Sequence, residues 1–182
     1  MAENLNFIKK NKSKAGRIAF AAMFTSLALV LSITENYIPI YAIIPIPGIK
    51  LGLANIVTVF AIVTLKPADT IFIILARCLV MGLFTGPVSF AFSITGAITA
   101  FIVMIILIPG LSKIFSVVGI SIAGAAAHNI GQITVAVILL KDIRIMLFYL
   151  PVLLFVSIFT GAVTGIAAIP VIRNIRKAVK VK

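Results

Sequence analysis

Long apolar runs, separated by short polar or turn-forming breaks, fill almost the whole chain. Six runs stand out, at roughly 17–38, 51–65, 68–85, 88–108, 117–140 and 145–169. A membrane-spanning helix needs about 20 apolar residues, with a range near 17–25. The second run is short by that measure, so it is expected to start within the preceding loop or to lie in a thin region of the bundle. The breaks fall where helix-ending residues cluster: Pro39, Pro45 and Pro47, Lys66-Pro67, Gly86-Pro87, Pro109-Gly110, and Lys141 to Arg144. The pattern predicts an all-α integral membrane protein, a bundle of six transmembrane helices.

Composition supports the bilayer as solvent. Hydrophobic residues make up 62% of the 182 positions, against about 45–50% in ordinary soluble domains. The formal charge of +12 invites a nucleic-acid reading. The placement of the cations points elsewhere, because they flank the apolar runs. Both ends of the chain, Lys66 and Lys113 carry most of them, and Lys50, Lys141 and Arg144 are left on the opposite side. By the positive-inside rule both termini are expected in the cytoplasm, and the loop holding Lys50 outside. The expected organisation is a basic N-terminal segment (1–16), a membrane domain (17–170) and a basic tail (171–182), multi-pass in the cytoplasmic (inner) membrane. The basic start followed by a long apolar run reads as an uncleaved first helix rather than a signal peptide.

The residues point away from catalysis and from cofactors. No G-x-x-x-x-G-K-[ST] loop is present to cradle nucleotide phosphates. One histidine, one cysteine and four acidic residues, all scattered, make a poor ligand set for a metal. No aspartate-rich pair could hold magnesium on a diphosphate.

The remaining signal is polar chemistry within apolar runs, which is expensive in lipid and by default functional. Arg77 falls near the middle of the third run. His128, Asn129 and Gln132 fall midway along the fifth, with His128 and Gln132 four apart and so on one helix face. Asn55 lies about one turn into the second run, Lys50 just ahead of it, and Glu35 near the outer end of the first. Plainer roles exist for each: Glu35 as a counter-charge for Arg77 or Lys50, Asn129 and Gln132 as interhelical hydrogen-bond glue, Lys50 as a snorkelling interface marker, His128 as a core histidine. Their shared depth, between midplane and outer face, favours one outward-facing polar cavity. Its cations would suit a carboxylate or phosphate. Small residues four apart, such as Ala15/Ala19, Ala22/Ser26, Ala127/Gly131 and Gly161/Gly165, predict close helix approach.

IPIPGIKLGLANI, ILARCLVMGLFTG, GISIAGAAAHNIGQ, YLP and FTGAVTG together resemble the Gx transporter family, which also carries the label heptaprenyl diphosphate synthase component I. The architecture is similar to the substrate-binding S components of energy-coupling factor (ECF) transporters. That resemblance implies uptake of a vitamin-like, flavin or isoprenoid metabolite. It implies partnership with a coupling subunit and an ATPase pair, docked on Ala15, Ala19 and Ala22 of the first helix. The synthase label implies an alternative, a non-catalytic membrane subunit tied to prenyl diphosphate synthesis, and the similarity of Gx family members to membrane proteins of flavin- and quinone-based electron transfer implies an accessory role there. Flavin-binding S components often carry Asp where this chain has Asn55.

Overall fold

The computed structural model describes residues 14–38, 50, 52–108 and 116–180. These form six helices: α1 (Lys14–Asn36), α2 (Asn55–Thr64), α3 (Pro67–Thr85), α4 (Pro87–Leu107), α5 (Val117–Leu140) and α6 (Arg144–Lys180). The described residues contain no strand. The loop prolines Pro39, Pro45 and Pro47, the Pro109-Gly110 break and most of the basic N-terminal segment lie outside the described residues.

Helix ends follow the local chemistry. Lys66 is extended and Pro67 opens α3, where its missing N–H is not needed. Gly86 joins α3 to α4 with φ 88°, a left-handed conformation that glycine adopts without a Cβ penalty, and Pro87 opens α4. Ser116 caps α5, its hydroxyl accepting from the Gly119 N–H at 3.0 Å.

Two expectations change. Helix α2 has only ten residues, about 15 Å of length, and so reaches half-way through a hydrocarbon core of about 30 Å. Five helices are long and apolar enough to cross a membrane among the described residues, and α2 is the shorter apolar one. The reason lies upstream of Asn55. Gly52 has φ 80°, and the Asn55, Ile56 and Val57 N–H groups bond to Gly52, Leu53 and Ala54 in tight turns, so helical winding begins four residues later than the apolar run does. At the other end α6 runs for 37 residues through both Pro151 and Pro170. The predicted stop near 169 is overrun, since neighbouring helices can absorb proline's lost hydrogen bond in such bundles.

The short helix is central. It packs against all five of the others, and all its residues but Ile56 are buried. Helices α5 and α6 form the closest pair. Gly165 makes this contact: a Cβ there would sit 2.6 Å from Val118 Cα, so the two backbones touch where a side chain would hold them apart. On the far side Arg17 of α1 grips Asp69 of α3 at both carboxylate oxygens, 2.6 and 3.2 Å away. The bundle's outer surface is oily: Ile18, Leu83, Phe84 and Phe148 are each at least 70% exposed. With its long apolar helices, this surface is that of a multi-pass membrane protein.

Candidate functional site

The polar residues gather at the N-terminal end of α2. Glu35, Lys50, Asn55, Arg77, His128 and Gln132 are all buried, carried by the end of α1, the approach to α2, mid α3 and mid α5. Charged and amide side chains cannot be buried together without defined partners, so the hydrogen bonds decide what each one does.

Two of them hold backbone. The Gly52 N–H donates to the Glu35 carboxylate in a short bond, and the Lys50 N–H donates to Gln132 Oε1 at 3.1 Å. This stretch is not helical, so its amides need partners from elsewhere. The Lys50 bond also fixes the Gln132 amide, because Oε1 accepts and Nε2 must therefore be the donor. That Nε2 lies 3.0 Å from His128 Nε2, which makes the ring nitrogen an acceptor and places the imidazole proton on Nδ1. The ring is wedged tightly. A Cβ on Gly96 would meet His128 Cε1 and Nδ1 at 2.8 Å, and one on Gly52 would meet His128 Cδ2 at 3.0 Å and Asn55 Nδ2 at 2.8 Å. Glycines at both positions leave the histidine its room.

Arg77 is different. The residue is 6% exposed, and its guanidinium has five N–H donors. Its side-chain partners are Ser32 Oγ at 3.2 Å and Cys78 Sγ at 3.6 Å. Neither carries charge, and sulfur is a weak acceptor. Among the described residues no carboxylate lies within ion-pair distance of Arg77, although Glu35 and Lys50 are near enough to feel its charge. Two cations against one carboxylate leave the cluster short of negative charge. Asn55 adds a second deficit: among the described residues its Nδ2 and Oδ1, like His128 Nδ1 and Asn129 Oδ1, are buried without a hydrogen-bond partner, a state that costs about 1–3 kcal/mol for each such group.

Four of the residues singled out from sequence stand apart. Asn129 turns to α6, donating from Nδ2 to the Leu153 carbonyl at 3.0 Å, beside the apolar cluster of Phe92, Ile133, Ala136 and Leu153. Ala15, Ala19 and Ala22 lie on the exposed side of α1, far along the helix from Glu35. Sequence reasoning missed Ser32, Cys78, Gly52 and Gly96. The first two were legible as neighbours, Ser32 lying one turn before Glu35 and Cys78 beside Arg77. The glycines become meaningful only once His128 is seen between them.

The fold and its buried, cation-rich cluster define a helical membrane protein with a polar site between its helices. The profile of the family described as heptaprenyl diphosphate synthase component I matches residues 24–170, and the chain belongs to that family. No curated protein and no solved structure matches it.

Proposed function

We propose that the chain is the substrate-binding membrane component of an ATP-driven uptake transporter of the ECF type, and that its cargo is a small anionic or amphipathic metabolite. In this reading the chain makes six passes with α2 the short one, both termini face the cytoplasm, and the site opens to the outside of the cytoplasmic membrane. Arg77, Lys50 and Asn55 receive the anionic group. Glu35, His128 and Gln132 shape the wall, and Asn129 braces α5 against α6. The exposed Ala15, Ala19 and Ala22 face offers a coupling subunit a close approach, and an ATPase pair supplies the energy.

The observation that carries the reading is Arg77, a buried guanidinium without a carboxylate partner among the described residues. A buried charge lacking its counter-ion is strongly unfavourable, and an incoming carboxylate or phosphate supplies the missing acceptor in charge-assisted hydrogen bonds. The test is purification of the tagged full chain from its native membranes in mild detergent, with mass spectrometry of retained proteins and small molecules. Expected are a coupling subunit, an ATPase pair and a retained anion. Arg77→Ala loses the anion while the protein still elutes as a folded species. A hydrogen bond to a charged group contributes about 1.5–3 kcal/mol, so the loss in affinity is roughly 10- to 100-fold. Anion retention unchanged in Arg77→Ala overturns the assignment.

The family description favours a second reading, a non-catalytic membrane subunit of a heptaprenyl diphosphate synthase. A prenyl diphosphate is itself an anionic amphiphile, so the same cations would serve. Recovery of a prenyl synthase, with no ATPase, moves the assignment to that role.

A further inference from the structure

Helices α5 and α6 are joined by a tight turn. Lys141 ends α5 in the left-handed conformation, with φ 53°, and α6 begins three residues later at Arg144. Polarity changes abruptly here. Leu139 and Leu140 before the turn, and Leu147 and Phe148 after it, are each at least half exposed, the surface of a helix in hydrocarbon. Between them stand Lys141, Asp142 and Arg144. An apolar, lipid-facing surface that gives way to charge within one helical turn marks the depth of the head groups.

An open cavity of about 260 Å³ lies at this boundary, lined by Asp142, Arg144, Ile145, Phe148 and Tyr149. Small-molecule sites start at about 300 Å³, so its size suits a single head group. One side is apolar and firmly backed, because Ile145 and Tyr149 pack on the cluster of Phe92, Ile133, Ala136 and Leu153. The other side carries both signs of charge. The Asp142 carboxylate accepts from the Arg144 backbone N–H at 2.9 Å and from its Nε at 3.0 and 3.2 Å. Asp142 therefore holds the guanidinium by one nitrogen. Among the described residues Nη1 and Nη2 have no acceptor, and the Arg144 side chain is 75% exposed. An arginine fork oriented in this way is fitted to a phosphate.

We propose that this cavity seats the head of one membrane phospholipid, and that the head is zwitterionic, with its phosphate on the Arg144 Nη groups and a primary ammonium on Asp142. A lone anion would be opposed by Asp142 and a lone cation by Arg144, whereas a head with both charges meets both. A primary ammonium donates hydrogen bonds to a carboxylate, which a quaternary ammonium cannot do. The acyl chains leave past Phe148 along α6, whose exposed stripe continues through Val152, Phe155 and Phe159. Phosphatidylethanolamine has this head, and the site is independent of the cluster around Arg77.

The experiment is native mass spectrometry of the full chain in mild detergent. The chain is titrated with phosphatidylethanolamine, phosphatidylcholine and phosphatidylglycerol of identical acyl chains. Expected is one phosphatidylethanolamine per chain, held roughly three- to tenfold more tightly than phosphatidylcholine, as for one charge-assisted contact at a partly exposed site. Asp142→Asn removes this preference, and Arg144→Gln weakens all three lipids. Lys141→Gln, a neighbouring charge outside the cavity lining, changes nothing. The parent chain's choice between lipids carries the test even where a variant fails to fold. Phosphatidylcholine held as tightly as phosphatidylethanolamine overturns the ammonium contact and the zwitterionic assignment. Phosphatidylglycerol held best overturns that assignment in favour of an anionic lipid. Lys141→Gln weakening binding as much as Arg144→Gln reduces the effect to general surface charge and overturns the site. Glycerophosphoethanolamine, the same head without acyl chains, is expected not to compete, and displacement of the lipid by an equal concentration of it overturns a lipid as the occupant.

Discussion

Gly96 of α4 offers a direct test of how tightly the site is built. A Cβ there would lie 2.8 Å from His128 Cε1 and Nδ1 and 3.0 Å from Gln132 Cγ. Carbon atoms in contact settle at about 3.5–4.0 Å, so in Gly96→Ala the ring must retreat by roughly 0.7 Å from its 2.8 Å approach. It has nowhere to go. Gly52 and Asn55 stand on the far side, and Nε2 is tied to Gln132, which in turn holds the Lys50 N–H. Overpacking of this kind costs about 1–3 kcal/mol. Alanine also gains about 1 kcal/mol of helix propensity over glycine, which masks part of the cost. Gly119→Ala is the internal control. Its Cβ meets only Ser116 Oγ, at an ordinary 3.5 Å, so it takes the propensity gain without the clash. The difference between the two variants isolates the overpacking. Purified proteins are titrated with SDS against a mild detergent and followed by far-UV circular dichroism. Gly96→Ala is expected to unfold about 1–3 kcal/mol more easily than Gly119→Ala, and to bind the anionic ligand more weakly because the Lys50 amide is no longer held. Equal midpoints for the two variants would refute the close fit of His128 against α4.

Two other contacts in the bundle give measurable outcomes. Ser116→Ala removes the hydroxyl that accepts from the Gly119 N–H; the loss of this cap is expected to lower stability by about 1 kcal/mol in the same titration, and no loss would show that the α5 terminus does not depend on it. Arg17→Asp and Asp69→Arg each place like charges between α1 and α3, where a two-point ion pair now stands. Each alone should lower the midpoint and the double exchange should recover it. A double variant no better than either single one would mean that the contact is incidental.

The sequence was most informative where the physics is local. Long apolar runs become helices in lipid whatever their neighbours do, and the breaks at Lys66-Pro67 and Gly86-Pro87 coincide with the ends of α3 and α4. Hydropathy could not measure α2. Leu51 through Ala54 are as apolar as the helix they precede, and the turn at Gly52 leaves no trace in a hydrophobicity profile. Depth grouped the polar residues but did not give their facing. Asn129 is adjacent in sequence to His128, yet a one-residue step on a helix turns a side chain by about 100°, and it meets Leu153 on α6 instead. Glu35 reads as a counter-ion for Arg77 or Lys50 in the sequence. In the structure its direct hydrogen bond is to the Gly52 backbone, because that non-helical N–H finds no partner in a helix ladder.

The brevity of α2 ties these particulars together. A helix of ten residues in a bundle of longer ones leaves non-helical backbone inside the protein, and buried backbone amides require partners. Glu35 and Gln132 supply them at Gly52 and Lys50. That requirement explains two of the polar residues by structure alone, and through Gln132 it explains the tautomer and position of His128. It explains neither Arg77 nor Asn55. Among the described residues Arg77 rests on a serine and a cysteine, and the Asn55 amide has no partner. A scaffold under no functional demand would gain by replacing both with leucine or methionine, since an apolar residue of similar size is neutral or better than a polar group left unpaired. The functional claim therefore stands on the residues that the architecture does not need. The double variant Arg77→Met, Asn55→Leu should be at least as stable as the parent in the SDS titration while losing the retained anion. A large loss of stability would assign both residues to the fold, and the anion site would have to be sought elsewhere.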